Sequence, residues 1–151
     1  VYAGERPTEA SIIRALIEGR SFNTRAPGAM LHVRANGASM GETALAGEDG
    51  AVAVEVSCRS SRPLRRVELV ADGRVVKAWE GRGGVRFDAE TTLSFEAAKG
   101  APAARWIVAR AYAYEEDSGI WPVDDTTMEP LLESGCIAFT NPVWVERGAA
   151  R

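Results

Sequence analysis

Apolar and polar residues alternate along much of this chain, and that alternation limits its fold more than any other feature. From Val85 the odd positions read Val85, Phe87, Ala89, Leu93, Phe95 and Ala97, while Arg86, Asp88, Glu90, Ser94 and Glu96 take even ones. A period of two puts one set of side chains on a dry face and the other in water, the signature of a half-buried strand. Val52, Val54, Val56 and Cys58 repeat the pattern, as do Leu31, Val33 and Ala35, then Val67, Leu69 and Ala71. Several such runs at short spacing predict an all-β fold, an immunoglobulin-like antiparallel β-sandwich.

The turns divide the runs. Met30 to Ala35 reads as a strand ending at Asn36-Gly37, and a polar loop from Ala38 to Gly50 leads into a second strand, Ala51 to Arg59. Leu64 to Ala71 and Arg74 to Trp79 flank Asp72-Gly73, a strong hairpin signal because both residues tolerate positive φ. Gly81 to Gly84 forms another turn, and Val85 to Ala97 reads as one bent strand or two. Arg105 to Tyr114 is apolar on both sides, with Trp106, Val108, Arg110 and Tyr112 on one face and Ile107, Ala109, Ala111 and Ala113 on the other. It reads as a central strand. Arg110 then needs a partner, for which a structural ion pair is expected ahead of a ligand contact. Pro142 lacks a backbone donor, so the closing segment Cys136 to Glu146 is bulged there or lies at an edge.

One short helix precedes the strands. Pro7 and Thr8 form its entry, Ile12, Ile13, Leu16 and Ile17 its apolar stripe, and Gly19 its stop. At about three turns it is marginal in water without packing. Burying each of the four aliphatics is worth on the order of 1.5–3 kcal/mol, so the stripe needs a partner surface. That surface is either one end of the sandwich or a neighbouring domain; on the second reading residues 1–28 are a helix and linker at the end of, or against, an upstream domain, with 29–147 the sandwich and 148–151 a tail.

Composition excludes several function classes. With 151 residues, 46% hydrophobic and 26% charged, the chain suits one globular domain. Its net charge of -3 argues against a nucleic-acid surface. No apolar run has the length of a membrane span. Cys58 continues the apolar face of its strand and reads as a buried free thiol, while its pairing with Cys136 stays open. His32, the only histidine, falls on a polar strand face and cannot build an imidazole-rich metal site alone. Glu115, Glu116, Asp117, Asp124 and Asp125 match no calcium-loop spacing, and Gly81-Arg82-Gly83-Gly84 lacks a P-loop lysine. No catalytic, cofactor or metal residue is identified, and the compartment, cytoplasmic or exported, is left open. Tyr114, Trp121 and Trp144 are candidates for stacking on sugar rings, against the general tendency of aromatics to pack inward.

Four ordered phrases add a resemblance. Ala15-Leu16-Ile17-Glu18-Gly19-Arg20-Ser21-Phe22-Asn23-Thr24, followed by Pro27-Gly28-Ala29-Met30-Leu31, resembles the helix exit and first strand of the carboxyl-terminal module of CehA/McbA-type metallohydrolases. These bacterial enzymes belong to the polymerase and histidinol phosphatase (PHP) superfamily. Val67 to Val76 is similar to that module's hairpin, Trp106 to Arg110 to its central strand, and Ala138 to Val145 to its closing segment. Asn23 departs from the family's usual apolar residue and Phe139 from a frequent histidine. The resemblance implies an accessory sandwich on a catalytic barrel, with a divalent metal held by the barrel and none here. It makes Ile13, Leu16, Ile17, Arg20, Thr24, Arg110, Thr140 and Asn141 candidate domain-contact residues. An exposed stripe on such a helix would also drive self-association.

Overall fold

The computed structural model describes residues 1–95, 104–114 and 135–147. Among the described residues one helix, α1 (Glu9–Ile17), precedes eleven strands: β1 (Phe22–Thr24), β2 (Met30–Ala35), β3 (Ala38–Ser39), β4 (Thr43–Ala46), β5 (Ala51–Arg59), β6 (Leu64–Ala71), β7 (Arg74–Glu80), β8 (Arg86–Ser94), β9 (Ala104–Ala113), β10 (Cys136–Thr140) and β11 (Val143–Arg147). The strands form two sheets that share one core, so the architecture is the expected all-β sandwich with an N-terminal helix.

The small sheet runs β3-β2-β5-β8, antiparallel throughout. Its alternation is the one seen in sequence: Leu31, Val33, Ala35, Val52, Val54, Val56 and Cys58 point inward and are buried. In the large sheet β9 is central, with β6 and then β7 on one side. Its other side is lined end to end by β10 and β11, which in turn pair with β1 and β4. The small residues Ala109 and Ala111 on β9, with Ala44 and Ala46 on β4, let the sheets approach closely around Leu69, Ile107 and Val143.

Several sequence expectations meet corrections here. The stretch Ala38 to Gly50 is not all loop, because it holds β3 and β4. The sandwich is not wholly antiparallel, since β4 pairs parallel to β11. Residues read as linker contribute β1, which pairs with β10. Val85 to Ser94 carries one strand, with Phe95 buried just beyond it, while Glu96 and Ala97 lie outside the described residues. Pro142 falls in the break between β10 and β11, where the missing donor interrupts one long strand without placing it at an edge. Asp72 (φ 48°) and Gly73 (φ 80°) close the β6–β7 hairpin as their residue types require.

Candidate functional site

The end of α1 meets the sandwich rim at a tight junction. Thr8 caps the helix through the Ser11 amide, and the Ser11 hydroxyl answers the Thr8 backbone in a reciprocal capping box. Past Ile17 the chain reverses, with the Arg20 N–H donating to the Ala15 carbonyl at 2.8 Å. There the backbone of Glu18 lies against Gly41, whose φ is +83° and where a Cβ would collide with the Glu18 carbonyl. The Gly41 N–H donates to the Pro142 carbonyl at 2.8 Å, and the Asn141 side-chain amide donates to the Ser21 hydroxyl at 2.8 Å. The Tyr2 N–H closes the set on the Arg20 carbonyl at 2.8 Å. The helix exit, the β3–β4 turn and the β10–β11 break are thus one interlocked unit.

That clamp holds the helix while leaving its stripe uncovered. Only Ala15 is buried on α1; Ile13 is 49% exposed, Leu16 52% and Ile17 81%. Of the other domain-contact candidates, Asn141 joins the junction directly. Arg20 is there through its backbone, while its side chain makes a half-exposed pair with Glu18 at 2.7 Å. Thr140 is buried, its hydroxyl accepting from the Ala109 N–H at 2.9 Å, and the Thr24 hydroxyl donates to the Ala26 carbonyl at 2.8 Å. Both hold backbone in register.

Arg110 lies elsewhere, on the outer face of the large sheet. Its Nη2 reaches Glu68 Oε2 at 2.7 Å, the structural ion pair expected for it, and the Tyr112 hydroxyl donates to the same oxygen at 3.0 Å. Arg66 sits against Oε1 as an ion pair without hydrogen-bond alignment. Arg65 and Arg110 both lie over the Tyr112 ring. Burial is the main cause that raises the Tyr112 phenol well above its ordinary range; the Glu68 charge adds to the shift and Arg110 opposes it. The phenol is therefore a fixed donor. Glu68 was missed in the sequence because it sits inside Val67-Glu68-Leu69-Val70 like any alternating polar residue. The available signal was Arg110, the charge on the facing strand.

The thiols and the histidine offer no obvious chemistry. Cys58 and Cys136 are free and buried. Burial first, then the Asp88 charge, pushes the Cys58 thiol up to about 12, so it is no nucleophile near neutrality. Burial also raises Cys136. His32 is half-buried rather than a plain surface residue: its Nε2 lies 3.1 Å from the Ser39 hydroxyl, and Tyr2 packs edge-on against its ring. Burial, with Arg34 nearby, lowers its pKa against a smaller opposing effect of Glu55. Among the described residues no three His, Cys, Asp or Glu side chains converge as metal ligands, and no helix is long and apolar enough to cross a membrane.

The aromatic candidates are scattered. Tyr114 and Trp144 are 45% and 41% exposed, and Trp121 lies outside the described residues. Trp144 stands opposite Trp106 across the β9–β11 ladder. Tyr114 is eight residues further along from Trp106, about 26 Å at strand rise, so Tyr114 and Trp144 make no joint platform. Trp79 packs inward on Phe87 at 5.6 Å. Compared with protein-family models, with curated proteins and with solved structures, the chain matches none.

Proposed function

We propose that this chain is a non-catalytic accessory module, immunoglobulin-like in kind, that docks through α1 onto a neighbouring catalytic domain. One observation carries the reading: α1 is capped and clamped in place, yet its large aliphatics face away from the core formed by the described residues. A short helix draws most of its stability from packing its apolar face, and an exposed patch such as Ile13, Leu16 and Ile17 is the kind of surface that a partner covers. The ordered resemblance to the CehA/McbA-type module supports a metal-dependent hydrolase barrel as that neighbour, with this sandwich limiting access to its site or bracing it. Any divalent metal belongs to the barrel.

Light scattering tests the stripe. The isolated chain self-associates with rising concentration, and Leu16→Glu with Ile17→Glu restores a monomer of unchanged circular dichroism. A wild-type chain that stays monomeric at high concentration overturns the reading. Metal-dependent turnover of phosphodiester, amide or carbamate substrates by this chain, with zinc or manganese added, overturns it equally. A second reading, carbohydrate binding, rests on the facing pair Trp106 and Trp144, and loss of glycan retention on Trp144→Ala would promote it.

A further inference from the structure

The longest regular sheet edge among the described residues is β8. It pairs with β5 through nine consecutive residues without a register shift, and no described strand covers its other side. The Phe95 N–H donates to the Gly50 carbonyl and the Ser60 N–H to the Val85 carbonyl, both at 2.9 Å. Odd-numbered residues of β8 therefore bond to β5, and the N–H and C=O groups of Arg86, Asp88, Glu90, Thr92 and Ser94 point outward from the sheet. Folded proteins normally blunt such an edge with lysine, proline, a bulge or brevity. β7, the other long edge, has both a register shift in its pairing with β6 and Lys77; β8 has no lysine, proline or bulge, and only the charges of Arg86, Asp88 and Glu90 mark its edge.

Side chains along this edge specify what fits. On the solvent face Glu90 lies directly opposite Glu55, which is itself faced by Arg34 on its other side, and Arg86 opens the strand, so the excess negative charge at the edge is that of Asp88 and Glu90. Neither Asp88 nor Glu90 forms an ion pair among the described residues. On the inner face, Phe87 and Leu93 are only half-buried, and Trp79 leans on Phe87 where the two sheets part.

We propose that β8 accepts, by strand addition, an extended segment of another protein in which basic side chains alternate with apolar ones. The basic residues neutralise Asp88 and Glu90; the apolar ones continue the core past Phe87 and Leu93. The added strand satisfies the outward backbone groups. A second copy of this chain fits less well, because antiparallel pairing centred on β8 sets Glu90 against Glu90. This inference does not rest on docking through α1, which lies on a different part of the molecule.

Two capped heptapeptides test it, one alternating lysine with valine and one alternating glutamate with valine. The lysine peptide binds, and amide exchange slows at Arg86, Asp88, Glu90 and Thr92. Asp88→Lys with Glu90→Lys weakens that binding about tenfold or more, and the glutamate peptide then binds instead. Thr92→Pro deletes one outward N–H while sparing the β5 ladder and the charges, and it also weakens binding several-fold. Equal binding of both peptides, or lysine-peptide binding indifferent to Thr92→Pro, overturns the proposal. So does protection of β8 that grows with protein concentration and no peptide, which assigns the edge to a second copy. Association through α1 leaves β8 exchange unchanged, so the two readings fail separately.

Discussion

Replacing Arg110 by methionine should destabilise the sandwich far more than replacing Arg66, although both guanidinium groups contact the same carboxyl. The Glu68 side chain is 1% exposed, Arg110 22% and Arg66 37%. Arg110 makes an aligned hydrogen bond at 2.7 Å, whereas Arg66 does not. Removing Arg110 leaves a buried carboxyl supported mainly by the Tyr112 hydroxyl, and breaking a buried pair from one side costs about 3–5 kcal/mol. The partial exposure of Arg110 places the expected loss at the low end, about 3 kcal/mol. Arg66→Met removes a half-exposed, misaligned partner and should cost under about 1 kcal/mol. In urea unfolding with a slope of about 2 kcal/mol per molar, the Arg110 variant shifts the midpoint by about 1.5 M and the Arg66 variant by less than about 0.5 M. Because the cost comes from stranding Glu68, the double variant Glu68→Met with Arg110→Met should recover most of the loss, to within about 1 kcal/mol of the parent. Equal midpoints for the two arginine variants would refute this account. So would a double variant less stable than Arg110→Met alone, because the pair would then contribute through packing rather than charge.

Gly41→Ala should cost about 1–3 kcal/mol, through its positive φ and the collision with the Glu18 carbonyl, and should loosen α1 before the sheets in hydrogen exchange. Cys58 should resist thiol reagents at pH 8 in the folded chain and react fully once unfolded. Its thiol rises from 9.0 to about 12 on folding, so the stability linked to it is intact below pH 9 and is lost as pH climbs from 9 toward 12; Cys58→Ala should flatten that alkaline loss.

Strands with a clean period of two and a diagnostic turn were legible residue by residue. β2 and β5 have the bounds expected for them, and the Asp72-Gly73 hairpin closes where its residue types demand. What escaped was encoded at a distance. β3 and β4 hold two and four residues, too few for a period to emerge, and β4 is a strand because β11, about a hundred positions later, lies beside it. The apolar stripe of α1 was readable, but no local rule tells an exposed stripe from a covered one. Glu68 looked like an ordinary outward-facing polar residue, since its burial is set by the side chains of facing strands rather than by its own neighbours in the chain. The candidate junction was legible only in part: Asn141 and Arg20 belong to it, while Gly41, the residue that seats the helix, sat in a stretch read as loop.

The position of β10 and β11 carries a consequence for biosynthesis. Both are wedged between β9 and strands that lie about a hundred residues earlier in the chain, so β1 and β4 have no seat in the large sheet until β10 and β11 have also been made. Until then the nascent chain must hold β2, β5 and β8 as a half-covered sheet. That interval is when chaperone binding and premature aggregation compete most strongly for it.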